Sequence, residues 1–145
     1  MNAFTYEGVV SALLVGDYEN DRGLVRDVFH DLGWRLFEQR DGRRTLQWLR
    51  RNPVQVVIAE RSSAGVGWQR LLDDLRDLPD PPQLVVTSRT ADDFLWSEVL
   101  NRGGFDVLPR PLNRDEVERV VAAAGRHYCS VRGGFLQTAE AGTAA

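Results

Sequence analysis

Asp17, Glu60, Thr87, Ser88 and Arg110 are the residues of this chain best suited to chemistry, and each stands just past a short apolar run. Asp17 and Glu60 are hard oxygen ligands. With a backbone carbonyl and waters they suit at most a weakly held magnesium ion, which commonly takes only one or two protein carboxylates. Arg110 lies between Pro109 and Pro111. Its guanidinium is always charged and forks onto carboxylates, so an Arg110–Glu60 or Arg110–Asp17 ion pair is expected to compete with the metal. Thr87 offers a hydroxyl to an anion, or bonds the backbone at a strand end.

Other chemistries lack their residues. All 18 Lys and Arg positions are Arg, which removes Schiff-base chemistry and the lysine that closes a phosphate-binding loop. One cysteine, Cys129, excludes an internal disulfide and a cysteine-rich metal site. His30 and His127 have no metal-ligating neighbour at a useful spacing, and Ser62-Ser63 has no histidine in its loop. The net charge of −3 gives no basic footprint for nucleic acid. Met1 to Glu7 has neither the basic region nor the apolar run of a signal peptide. No stretch approaches the roughly 20 apolar residues of a membrane span. A cytoplasmic protein without nucleic-acid or membrane partners is expected.

The elements that must position these residues follow from hydrophobic periodicity. Ala12 to Val15, Trp34 to Gln39, Gln55 to Ala59, Leu84 to Val86 and Phe105 to Leu108 read as strands. Asp21 to Leu32, Arg43 to Arg51, Trp68 to Leu78, Ala91 to Arg102 and Asn113 to about Arg126 read as helices. Phe94, Leu95, Val99 and Leu100 are the apolar set of the fourth. Gly33 is a helix stop. Strands apolar throughout predict a parallel sheet covered on both faces, hence an α/β, doubly wound (βα)5 flavodoxin-like fold. In such folds the site lies at the carboxyl ends of the strands, which selects Gly16, Asp17, Glu60, Thr87, Ser88, Arg110 and Pro111. The domain is expected over 10–128, after a 1–9 extension and before a 129–145 tail or linker stub.

Four segments, in the right order, give the chain a family likeness. Ala12 to Arg22 resembles the opening of response-regulator receiver domains, and Val56-Val57-Ile58-Ala59-Glu60 their third strand. Leu84 to Arg89 resembles the fourth, and Gly103 to Leu112 the fifth strand with its turn. The resemblance implies two acids after strand one that hold magnesium, and an Asp after strand three that accepts a phosphoryl group. It also implies a Thr or Ser after strand four, and a Lys before a cis proline. A carboxylate and a phosphoryl group are both anionic, so a divalent cation must lie between them, and a hydroxyl and fixed cation stabilise the developing charge.

Here the pattern is broken. Gly16 stands at the first acid, leaving Asp17; Glu60, or Ala59 if the alignment slides by one, stands at the acceptor; Arg110 replaces the lysine; and Val107 stands where an aromatic is usual, so that rotamer switch is missing, with Phe105, two residues earlier on the same face of the strand, as the candidate stand-in. The resemblance thus implies a degenerate pseudo-receiver, not an enzyme, without cofactor. It would work in two-component signalling by binding a sensor kinase, a regulator or a second copy of itself. Its expected surface is the fourth helix, fifth strand and fifth helix, with Asp92, Asp93, Trp96, Arg102, Arg114, Glu118 and Arg119. Two alternatives stay open: phosphorylation on Glu60, and a small ligand in the space beside Gly16.

Overall fold

The computed structural model describes residues 8–61 and 67–141, of which 133–141 are described as helical backbone. Ser62 and Ser63 lie outside the described residues. Five strands, β1 (Ser11–Val15), β2 (Arg35–Gln39), β3 (Val56–Glu60), β4 (Gln83–Ser88) and β5 (Asp106–Pro109), form one parallel sheet in the order β2-β1-β3-β4-β5. Between them run α1 (Arg22–Leu32), α2 (Thr45–Arg51, preceded by a 3-10 turn over Gly42–Arg44), α3 (Trp68–Leu75) and α4 (Asp93–Asn101). The last helix, α5 (Arg114–Ala141), follows β5. This is the expected doubly wound α/β architecture.

Each central strand is apolar on both faces because both are covered. Ala12, Leu14, Val56, Ile58 and Val85 pack with Val25, Val28 and Phe29 of α1 and Val117, Val121 and Ala124 of α5. Leu13, Val15, Val57, Ala59 and Val86 pack with Leu49 of α2, Trp68 and Leu71 of α3, and Leu95 and Val99 of α4. Residues i and i+1 thus serve opposite cores, as the two-residue period of a strand requires. Gly33 ends α1 in the left-handed region at φ 71°, the conformation that favours glycine there.

Three elements differ from expectation. α5 continues as helical backbone to Ala141, past Arg126, where the apolar pattern stops marking it. Phe94 of α4 faces solvent, 73% exposed, because only Leu95 and Val99 of that helix turn into the core. Phe105 precedes β5 and packs with the α1/α5 core against the His127 ring at 5.6 Å, whereas Val107 faces the opposite core. The two do not share a face, since the alternation rule holds only inside the strand, which begins at Asp106.

Candidate functional site

The parallel register brings the chosen residues to one end of the sheet. Val15 pairs with Ala59, and Glu60 with Thr87, so Gly16, Glu60 and Thr87 end three adjacent strands. Glu60, at the strand end, keeps its side chain partly exposed, whereas Ala59 is fully buried in the core. Gly16 has φ 126°, and its amide donates to the Gln39 carbonyl at 2.9 Å. A Cβ built on it would lie 3.0 Å from the Glu60 Cβ and 3.4 Å from Tyr18 Cε2. The space a longer residue would need at position 16 is therefore taken by Glu60 and Tyr18.

Tyr18 fills it. The side chain is fully buried, and its hydroxyl lies 2.5 Å from Thr87 Oγ1. Burial pushes its phenol well above the ordinary tyrosine value, so it stays neutral. The Arg110 guanidinium stacks on the same ring, 4.7 Å from its centroid, within cation–π range. Arg110 Nε donates to Asp21 Oδ2 at 2.9 Å, and Nη1 lies 3.7 Å from Glu60 Oε2. The Arg110 and Asp21 side chains are only 5% and 8% exposed. Asp21 Oδ1 also accepts the Leu112 amide at 3.3 Å, just beyond the cis Arg110–Pro111 bond. The result is one connected set, Asp21–Arg110–Glu60 with Tyr18 beneath the cation and Thr87 on the phenol.

Sequence reasoning paired Arg110 with Glu60 or Asp17. The structure gives the Glu60 pair, sets a closer partner ahead of it in Asp21, and leaves Asp17 out. Asp17 is exposed and accepts the Glu19 amide at 3.3 Å. Asp21 and Tyr18 were missed. Asp21 occupies the N-cap position of α1, where an Asp ordinarily caps, yet its side chain makes no cap hydrogen bond and turns to Arg110 instead. An aspartate at a helix start is too common to betray that. A large aromatic at position 18, in a loop of polar residues, was the available signal. Ser88 is buried and accepts the Thr90 amide at 3.1 Å; its carbonyl accepts the Arg110 amide at 2.9 Å. It supports the turn and does not face the cation network.

These donors do not suit a magnesium ion. The Asp17 carboxylate faces solvent, the Glu60 carboxylate faces a guanidinium, and the Arg61 carbonyl accepts the Trp68 amide. Among the described residues no group of three His, Cys, Asp or Glu side chains gathers that could hold a metal ion. Gly16→Asp would restore the missing acid in composition only. It is expected to destabilise the fold by about 1–3 kcal/mol, from the strained left-handed backbone and the Glu60 contact, and to confer no magnesium affinity. A magnesium-dependent rise in the melting temperature of that variant would overturn this.

The expected interaction surface is only partly assembled. Asp92 caps α4 through the Leu95 amide at 2.9 Å, and the Trp96 indole N–H donates to Asp106 Oδ1 at 3.1 Å. Asp93, Trp96 and Val107 line a shallow groove of about 360 Å³. Arg102 pairs with Glu98 at 3.7 Å, Glu118 is half-buried and Arg119 exposed. Arg114 leaves this surface: it reaches Asp31 of α1 at 2.8 Å, because the first turn of α5 packs beside α1. Phe94, exposed on α4, was not among the expected contacts.

No protein-family model matches the sequence, and no curated protein does. Solved structures do match, as folds. A signal receiver domain of an HD-domain-containing protein from Pseudomonas fluorescens superposes with a TM-score of 0.73 at 21% identity, over 85% of this chain and 99% of that one. The receiver domain of the response regulator Ssk1 from Saccharomyces cerevisiae, in complex with a histidine phosphotransfer protein, gives 0.71 at 12% identity over 81% and 89%. The receiver domain of a sensor histidine kinase from Pseudomonas aeruginosa, with magnesium in its active-site cleft, gives 0.67 at 17% over 79% and 95%. The fold of this chain is that of receiver domains.

Proposed function

We propose that this chain is a receiver-fold module of two-component-type signalling that works by binding another signalling protein, or a second copy of itself, in the cytoplasm, and does so without accepting a phosphoryl group. The observation that carries the reading is the engagement of Arg110. The cation and hydroxyl that would meet a phosphoryl group are committed within the chain, Arg110 to Asp21, Glu60 and the Tyr18 ring, and Thr87 to the Tyr18 hydroxyl. Glu60 then stands toward the cation as an acid-bearing group would, so the site holds itself in one state. The crystallised complex of the Ssk1 receiver with a phosphotransfer protein supports a partner of that class. No helix among the described residues is long and apolar enough to cross a membrane.

A second reading keeps Glu60 as an acceptor, since its side chain is still 20% exposed at the strand end. One measurement separates the two. After incubation with acetyl phosphate and magnesium, the intact mass is expected to be unchanged. A stoichiometric gain of one phosphoryl group, abolished by Glu60→Gln, would establish the second reading.

A further inference from the structure

Charge is distributed unevenly over this fold. Residues 22–51 hold eight arginines against four carboxylates, so the stretch is net +4 in a chain that is net −3 overall. Three of those carboxylates are already engaged. Glu38 pairs with Arg22 and Arg26 at 3.3 and 2.8 Å, Asp31 with Arg114, and Asp41 with Arg43 at 3.7 Å. Arg40, Arg44, Arg50 and Arg51 are exposed and make no ion pair with a described residue. Arg40, Arg44 and Arg51 gather at the end of β2, the 3-10 turn and α2, whereas Arg50 lines a separate cleft with Leu49, Pro53 and Asp77. Two adjoining clefts of about 500 and 290 Å³ share Gln39 and Arg44 there; Arg40 and Arg43 line the first, Trp48 and Arg51 the second. β2 is also the outer strand, paired only with β1.

We propose that this β2–α2 edge is a docking site for an acidic, extended segment of a partner protein. An extended segment can add its backbone to an open strand edge, while arginine forks grip carboxylates and Trp48 offers an aromatic wall. Nucleic acid fits less well, because its charge continues past the patch and meets a chain that is otherwise acidic. A second copy also fits less well. The acidic residues of α3 and α4 are largely engaged: Asp73 with Arg76, Asp74 with Arg70, Glu98 with Arg102, and Asp92 as a helix cap. The proposal does not depend on whether the strand-end site accepts a phosphoryl group.

The test is a fluorescence-anisotropy titration of the full chain with a labelled peptide of alternating Glu and Val. A matched peptide with Gln for Glu and a single-stranded oligonucleotide of equal charge serve as competitors. The Glu peptide is expected to bind at least tenfold more tightly than the Gln peptide, and to weaken as salt rises. Arg44→Glu with Arg51→Glu is expected to weaken it tenfold or more. The same reversals at Arg89 and Arg126, exposed arginines outside the edge, are expected to leave binding unchanged. Arg44→Gln with Arg51→Gln gives a milder pair should the reversals perturb folding. Equal binding of the Gln peptide, tighter binding of the oligonucleotide, or equal loss from the Arg89 and Arg126 reversals would overturn the proposal. The arginines would then serve only to keep an open strand edge from pairing.

Discussion

Arg110→Met is expected to lower stability by about 3–5 kcal/mol, because it leaves a buried carboxylate without its counter-ion. Asp21 is the reason. Its side chain is 8% exposed, and its carboxylate accepts from Arg110 Nε at 2.9 Å and from the Leu112 amide at 3.3 Å. Removing the cation strands that charge and also strips the Tyr18 ring of its guanidinium. Glu60→Gln is expected to do far less, since that contact is longer and the side chain more exposed; a pair of that kind is worth at most about 1 kcal/mol. Asp21→Asn combined with Arg110→Met should recover part of the loss, because both charges then leave together. Denaturant midpoints of the four proteins measure this. An Arg110→Met shift no larger than that of Glu60→Gln would mean that Asp21 and Arg110 do not form the core of the network.

Tyr18→Ala is expected to be as costly, about 3–5 kcal/mol, the usual range for deleting a buried aromatic. The ring lies between Gly16 and Thr87 and carries Arg110 on its face, so its loss opens a cavity and frees the Thr87 hydroxyl together. Tyr18→Phe isolates the second effect and is expected to cost about 1–3 kcal/mol through the unpaired buried hydroxyl. The two also differ with pH. The folded-state phenol titrates above its unfolded value of about 10, so the unfolded chain releases that proton first. Stability is therefore complete below about pH 10 and falls as pH climbs beyond it. In Tyr18→Phe this part of the alkaline loss disappears. Identical alkaline profiles for the wild-type chain and Tyr18→Phe would remove the buried phenol from the account.

Together these results would show whether the strand-end set acts as one unit. If its residues were independent, Tyr18 and Asp21 would be replaceable at the small cost of loop residues. The geometry couples them. Gly16 admits Tyr18, Tyr18 carries Arg110, and Arg110 reaches back to Asp21 and Glu60. Gly16→Asp, Tyr18→Ala and Arg110→Met should therefore be non-additive, since neighbours that share partners couple by about 0.5–3 kcal/mol.

Much of this was legible before any coordinates. Gln55 to Ala59 and Leu84 to Val86 could only be buried strands, and a parallel sheet then had to carry Glu60 and Thr87 to the same end. Gly33 announced the end of α1. The limits were local. Phe94 read as a core residue because α4 is apolar over most of its length, and a helix with Leu95 and Val99 facing inward has more apolar residues than core to receive them. Arg114 read as a surface contact because nothing in its own helix shows that α1 presents Asp31 beside it.

The sequence by itself determined the strand-end set, through the two-residue and 3.6-residue periods that any buried strand or helix must obey. It also put Gly16 and Arg110 in that set. Only the tertiary structure decided what that set amounts to. Asp21 and Arg110 are 89 residues apart in the chain, and Tyr18 and Thr87 are 69 apart. The loop from Gly16 to Asp21 has no periodicity to fix where its side chains point. Their positions follow from packing: a glycine at φ 126° leaves room for one ring, and a buried guanidinium must find its carboxylate wherever the fold supplies one.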